Sequence, residues 1–175
     1  MIREEDIREE KIIEIAKLMM IAARTAPKGR GRDNLVIGLI EKSRIQDLAN
    51  KMKEIHKRNN QAFFLRDSDN ILNAQAIVII ATKTEVLGLD CGLCGFDTCE
   101  EKQENPDTPC AFNNADLGIA VGSAVSVAST HRADNRIMFS AGQAANELGL
   151  LGPDIGMAIA IPLASYGKNP FFDRQ

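Results

Sequence analysis

Residues 22–41, AARTAPKGRGRDNLVIGLIE, contain a helix end, a loop and a strand in immediate succession. The first letters end an amphipathic helix predicted over residues 8–23, in which apolar side chains recur at helical spacing. Proline and glycine then interrupt this periodicity, which predicts a loop. LVIGLI at 35–40 is a short apolar run rich in β-branched residues, which predicts a buried strand. The stretch therefore indicates a fold that mixes helices and strands.

The rest of the chain continues this mixture. Two serine–glutamine pairs have the spacing of capping boxes, which predicts helix starts at Ser43 with Gln46 and at Ser140 with Gln143. The other predicted elements are a short helix from Ser68, a strand at 75–81, a long helix from near Asp116, the end of the Ser140 helix near Leu148, and a strand at 155–163. Because no repeat or linker interrupts them, we predict one domain over residues 1–175, of α/β or α+β class.

The predicted long helix, over residues 116–130, has little charge on any side. One stripe is apolar, and the other side carries small residues, namely Gly118, Gly122, Ser126 and Ser129. A helix that is apolar or small all round belongs in a core or at a subunit interface. Since a short chain cannot easily cover such a helix by itself, we expect a homodimer.

Composition and charge exclude several functions. A net charge of −3 with scarce aromatic residues gives no reason to expect nucleic acid as a partner. The longest small and apolar run, residues 115–129, is too short and too polar to span a membrane, so we expect no membrane partner. The N-terminus is charged and mostly acidic, unlike a signal peptide, and we expect a cytoplasmic location. Neither GxGxxG nor a Walker A sequence is present.

All four cysteines lie close together, in a loop that we place at residues 88–112 and name the cysteine loop. Cys91 and Cys94 form a CxxC pair, and Cys99 and Cys110 stand alone. Clustered thiols in a reducing compartment indicate metal or redox chemistry before structural disulfides. A four-cysteine zinc site usually has two CxxC pairs, so the pattern favours an iron–sulfur cluster, with zinc or thiol redox chemistry as alternatives.

Residues around the cysteines suggest how they are held. Gly92 and Gly95 allow a tight turn that can direct backbone amides toward sulfur. Asp90, Asp97 and Glu100 add negative charge, which would lower the reduction potential of a cluster, although acidic residues in such a loop can equally be solvated surface.

CGLCGFDTC resembles the cysteine segment of small 4Fe–4S domains in corrinoid iron–sulfur and electron-transport proteins. The whole chain, from about residue 20, resembles a family of bacterial and archaeal proteins described as containing a ferredoxin domain. The matching segments are AARTAPKGRGRDN, RDSDN, LDCGLCGFDTC, PCAF, DLGIAVGSA, DNRIMFSAG and PLASYGKNPFFDR. This resemblance implies a redox or electron-transfer protein that binds a 4Fe–4S cluster and exchanges electrons with a partner protein or a small-molecule donor or acceptor.

The scaffold around residues 22–41, and the order of elements after it, also resemble FMN-dependent nitroreductases. That resemblance implies an α+β fold, a homodimer, and an FMN pocket lined by Pro27, Lys28 and residues near Pro162. The arginine-rich RRSxR segment of nitroreductases is missing here, and HRADNRIMF replaces their glycine-rich segment. The substitute phosphate ligands that we expect are Arg24, Arg30, Arg32 and Lys168. Three interpretations remain: a flavin and iron–sulfur oxidoreductase, a cluster-only electron carrier or sensor with a vestigial flavin pocket, and a structural or interaction protein held together by zinc.

Overall fold

A computed structural model describes residues 1–172 of the chain. Its α-helices are α1 (Glu4–Thr25), α2 (Lys42–Asn59), α3 (Ala62–Ile71), α4 (Cys99–Gln103), α5 (Ala111–Thr130) and α6 (Phe139–Glu147). Its strands are β1 (Leu35–Glu41), β2 (Ala76–Lys83), β3 (Asp134–Asn135) and β4 (Ile155–Ala164). Short 3-10 turns lie at Gly29–Gly31 and Pro170–Phe172.

The strands form one sheet in the order β1-β2-β4-β3, and every neighbouring pair is antiparallel. β2 lies inside the sheet, where Val78 is opposite Leu39 on β1 and Ile161 on β4. An antiparallel sheet with helices on its faces confirms the α+β class over the α/β alternative.

Two apolar cores lie on opposite faces of this sheet. Because side chains alternate along a strand, Ile77 and Ile79 of β2 face one core, and Val78 and Ile80 face the other. The first core is covered by α2, α3 and α6, and the second by α1 and α5. Gly142 on α6 is needed for close packing, since a Cβ atom there would lie 2.1 Å from the carbonyl oxygen of Ala158 on β4.

Both predicted capping boxes are wrong. α2 follows β1 directly, with Glu41 at its N-cap, and α6 has Met138 at its N-cap; neither residue makes a side-chain capping bond. The hydroxyl of Ser140 instead donates to Oδ2 of the buried Asp67 at 2.6 Å. Tertiary contacts therefore determine where these helices begin, and they override the local preference of the serine–glutamine pairs for capping.

Two predicted helix starts are also wrong. Ser68 lies inside α3, which begins at Ala62, and its hydroxyl donates to the carbonyl oxygen of Leu65 within the helix. The long helix begins at Ala111 rather than near Asp116. Its first turn, AFNN, has no periodic apolar pattern, and the pattern that marked the helix begins only one turn later. The first helix likewise extends beyond its predicted ends, over Glu4–Thr25.

Candidate functional site

The four cysteines line one hollow. Cys91 and Cys94 lie in the turn after β2, Cys99 is the first residue of α4, and Cys110 is the N-cap of α5. All four are free thiols, and Cys91 is exposed while Cys110 is buried. The apolar side chains around them belong to Val86, Leu87, Leu89, Phe96 and Phe112. The fold thus brings the complete predicted ligand set to one place, partly screened from water.

The CxxC turn depends on its two glycines. Gly92 has φ +70° and Gly95 has φ +89°, in the left-handed region that a residue without a Cβ adopts at little cost. The amide of Gly95 donates to the carbonyl oxygen of Gly92 at 3.0 Å. This bond closes the tight turn that the two glycines were predicted to allow.

The amide that does donate to sulfur belongs to Asp90. Its N–H donates to Sγ of Cys99 at 3.3 Å, and the amide of Cys99 donates in return to Oδ1 of Asp90 at 2.6 Å. This pair of bonds joins the chain before the CxxC turn to the start of α4. Amide donation to sulfur stabilises negative charge there, as a thiolate ligand requires.

Lys102 is a site residue that the sequence did not reveal. It lies on α4, one turn after Cys99, and lines the same hollow as the cysteines. Its side chain is 1% exposed, and Nζ donates to the carbonyl oxygen of Thr84 at 3.2 Å. A lysine in an acidic segment is predicted to be exposed at the surface, so only the fold shows that Lys102 is buried.

The basic loop of residues 24–32 lies against the beginning of the cysteine segment. Arg30 donates to the carbonyl oxygens of Leu87 and Gly88 at 3.1 and 2.8 Å. Arg32 donates more weakly to those of Val86 and Leu87, both at 3.4 Å. Two of the expected phosphate ligands therefore brace the chain that leads into the cysteines.

Gly29, in the same loop, contacts α5. Its amide donates to both carboxylate oxygens of the buried Asp116, each at 3.0 Å. A Cβ atom at position 29 would lie 2.9 Å from Cδ1 of Leu87. Gly29 thus lets the basic loop, α5 and residue 87 approach one another closely.

The other expected flavin residues also have protein partners. Arg24 donates to Oδ2 of Asp33 at 2.7 Å and to the carbonyl oxygen of Leu35 at 3.0 Å. Lys28 donates to the carbonyl oxygens of Arg24 and Ala26 at 2.5 and 2.8 Å. Pro27 is exposed beside them, and Lys168 is exposed in the turn after β4. Pro162 is buried inside β4, opposite Ile77.

The donor set consists of four thiols around one hollow. Four thiolates can ligate a 4Fe–4S cluster, in which each binds a different iron atom, or one zinc ion, which all four bind. Within residues 1–172, no three Cys, His, Asp or Glu side chains are already gathered around a single point.

The outer surface of the site is acidic. Between residues 90 and 107, the exposed charged side chains are all carboxylates, namely Asp90, Asp97, Glu100, Glu101, Glu104 and Asp107. Leu93, between the first two cysteines, is 68% exposed. A partner that approaches the cysteine loop would therefore meet exposed carboxylates and the exposed apolar side chain of Leu93.

No helix within residues 1–172 has the length and hydropathy needed to cross a bilayer.

Solved structures of nitroreductases have the same fold. A nitroreductase with bound FMN from Desulfitobacterium hafniense DCB-2 matches with a TM-score of 0.61 at 14% identity, over 99% of this chain and 96% of that chain. A nitroreductase with bound FMN from Bacteroides fragilis NCTC 9343 matches with a TM-score of 0.62 at 11% identity, over 93% and 81%. A nitroreductase family protein from Clostridium novyi NT gives 0.61 at 14%, over 91% and 76%. At these identities the likeness concerns the fold alone, and it confirms the nitroreductase-like scaffold.

Sequence comparison identifies the family of this chain. The family described as "Uncharacterized protein containing a ferredoxin domain (DUF2148)" matches the chain over residues 106–174. This range includes Cys110 and begins after the other three cysteines. A protein of Archaeoglobus fulgidus, described as "Uncharacterized protein", is 38% identical over 182 residues, covering 99% of this chain and 97% of that protein. With such identity over nearly the full length of both proteins, and with the match over residues 106–174, the chain belongs to the family of proteins containing a ferredoxin domain.

Proposed function

We propose that Cys91, Cys94, Cys99 and Cys110 bind one 4Fe–4S cluster and that the protein transfers electrons. The observation that carries this proposal is that all four thiols line one hollow although they come from three different local structures. When bound, such a cluster accepts and donates single electrons. The family description, with its ferredoxin domain, supports the same chemistry.

The chain's own residues hold and shield the site. The glycine turn, α4 and the start of α5 position the thiols, and the amide of Asp90 donates to Cys99. Leu89, Phe96 and Phe112 limit access of water, which slows oxidation of ligands. Exposed Cys91 is on the side from which electrons would reach a partner protein or a small molecule. We infer a cytoplasmic location as well, because free thiols persist in a reducing compartment.

Serine variants test the assignment of ligands. We expect each of Cys91→Ser, Cys94→Ser, Cys99→Ser and Cys110→Ser, purified without oxygen, to lose most of the iron and the visible absorption of the wild-type protein. The conservative variant Thr108→Ser, in the same loop, should keep both. Iron content and visible absorption that are unchanged in all four cysteine variants would contradict the proposal.

A second candidate is that the same scaffold also binds FMN, as a flavin-dependent oxidoreductase. Two similar solved structures contain FMN, and the basic loop of residues 24–32 supplies cations beside α5. A phosphate would have to compete with Asp33 for Arg24 and with backbone carbonyl oxygens for Lys28. The alternative is a cluster-only carrier or sensor, in which these cations brace the cysteine segment.

Titration with FMN separates these two candidates. If the loop binds the phosphate, the fluorescence of added FMN changes on binding, and Arg24→Ala and Lys28→Ala weaken that binding while the cluster content stays constant. Lys57→Ala, an exposed change on α2, serves as the control. No binding at tens of micromolar FMN by protein with its cluster intact would leave the cluster-only function.

A further inference from the structure

Lys102 is buried beside the cysteines, and its ammonium group has no carboxylate partner among residues 1–172. Its side chain is among the largest fully buried ones of the protein. Nζ donates to the carbonyl oxygen of Thr84, which is neutral. Within residues 1–172, no carboxylate lies within ion-pair distance of this ammonium group. Burial of an unpaired charge is costly, so a compensating negative charge is expected in its surroundings.

The hollow offers that negative charge. Cys99 precedes Lys102 by one helical turn, and all four cysteines line the hollow with it. Four thiolates on a 4Fe–4S cluster make an anionic group, and reduction makes that group more negative. A positive charge fixed nearby, in a region of low dielectric, lowers the energy of the reduced form more than that of the oxidised form.

We propose that Lys102 is an electrostatic partner of the cluster site, which stabilises the bound cluster and raises its reduction potential. This inference rests on the proposed function. The exposed carboxylates around the site act in the opposite direction, but water and salt screen them. Buried Lys102 is screened much less, so its charge outweighs that of any single acidic residue of the surface.

Two neutral variants test the proposal. Lys102→Met keeps the length of the side chain without its charge, and Lys102→Gln also keeps an N–H group that can donate to Thr84. We expect redox titrations of the anaerobically loaded proteins to show a more negative midpoint potential for both variants than for the wild type. The control Lys57→Met removes an exposed positive charge from α2 and should leave the potential unchanged.

The melting temperature separates charge balance from simple packing. Without the cluster, the ammonium group lacks its partner, so Lys102→Met should raise the melting temperature of the cluster-free protein. With the cluster bound, Lys102→Met should have a lower melting temperature than the wild type and should lose the cluster sooner. Lys102→Arg, which keeps the positive charge, should retain the cluster as long as the wild type does. If Lys102 only packs and donates to Thr84, Lys102→Met should have a lower melting temperature than the wild type both with and without the cluster.

The outcomes are distinct. A wild-type protein without iron and sulfide would refute the proposed function, and with it any cluster partner for Lys102. Loaded Lys102→Met and Lys102→Gln proteins with the wild-type potential would refute the inference alone. If the methionine variant does not fold, the glutamine variant decides. The inference is supported if folded Lys102→Met or Lys102→Gln protein loses the cluster while Lys102→Arg, which keeps the positive charge, retains it.

Discussion

The amide of Asp90 donates to the sulfur of Cys99, and the amide of Cys99 donates to the carboxylate of Asp90. One acidic residue thereby fixes the position of a proposed ligand, and its amide would stabilise negative charge on that sulfur. These bonds join the segment before the CxxC turn to the first residue of α4. The exposed Asp90 side chain therefore holds two parts of the cysteine site together.

We expect Asp90→Ala to speed loss of the cluster in air. The variant removes the hydrogen bond from the Cys99 amide to a carboxylate, which contributes about 1.5–3 kcal/mol. The rate of bleaching of the visible absorption should therefore rise about tenfold or more. Asp97→Ala removes the same charge from the same loop and is the matched control. Equal rates for the two variants would show that only charge matters.

The acidic surface predicts how the reduced protein reacts with small electron acceptors. Each acceptor molecule takes one electron from the protein, and hexaammineruthenium(III) is a cation whereas ferricyanide is an anion. Attraction by the exposed carboxylates should make the rate with the cation fall as salt is added, by about tenfold, and the rate with the anion should rise. Glu100→Gln should reduce both slopes in stopped-flow measurements. Rates independent of salt would mean that electrons leave by another face.

The exposed apolar side chains of α1 and α5 predict a homodimer. Leu18, Ile21 and Ile119 are 46%, 61% and 48% exposed, and nothing lies within 4 Å of where a Cβ atom of Gly122 would be. A charge buried at such an interface costs several kcal/mol, so Ile119→Lys should weaken dimerisation at least about a hundredfold. Leu72→Lys, an exposed apolar residue at the end of α3, is the control. Light scattering that shows a monomeric wild type at micromolar concentration would refute the dimer.

The pair Arg24–Asp33 predicts a pH-dependent contribution to stability. Burial raises the pKa of Asp33, but hydrogen bonds from Arg24 and from the Leu35 amide outweigh it and hold that pKa below its usual value. A folded-state pKa below the unfolded value, about 3.9, stabilises the fold above that pH, and the stabilisation is lost as the pH falls through the folded-state pKa.

We therefore expect Arg24→Met to lower the free energy of unfolding at pH 7 by up to about 1 kcal/mol, because both side chains are partly exposed. In denaturant titrations, the difference from the wild type should shrink as the pH falls from 7 through the folded-state pKa of Asp33, which lies below its usual value. Lys57→Met should cause no such difference. A difference that stays constant over the whole acid titration would show that Arg24 stabilises the fold by packing and not through its ion pair with Asp33.

The sequence predicted the classes of the elements and the cysteine set, and the physical reasons are local. Short apolar runs mark buried strands, and the spacing of Cys91, Cys94, Cys99 and Cys110 marks a shared site. α2 and α6 begin within one residue of Ser43 and Ser140, as predicted, but neither serine caps its helix, and Ser140 bonds to the buried Asp67. The helix start at Ser68 was wrong, because α3 begins at Ala62.

Roles that depend on tertiary contacts could not be predicted. Lys102 and Asp90 look like ordinary surface charges in an acidic loop, and only the packing of α4 makes one of them buried and gives the other a bond to a cysteine. The cations of the basic loop were visible in the sequence. That Arg30 and Arg32 donate to the carbonyl oxygens of residues 86–88 follows from the position of the loop beside α5.

Metal and sulfide analysis of protein purified without oxygen tests the central claim most directly. If Cys91, Cys94, Cys99 and Cys110 hold a 4Fe–4S cluster, the protein contains about four iron atoms and about four acid-labile sulfides per chain. A protein that contains about one zinc ion per chain and no sulfide would contradict the account, and the cysteines would then be a structural zinc site.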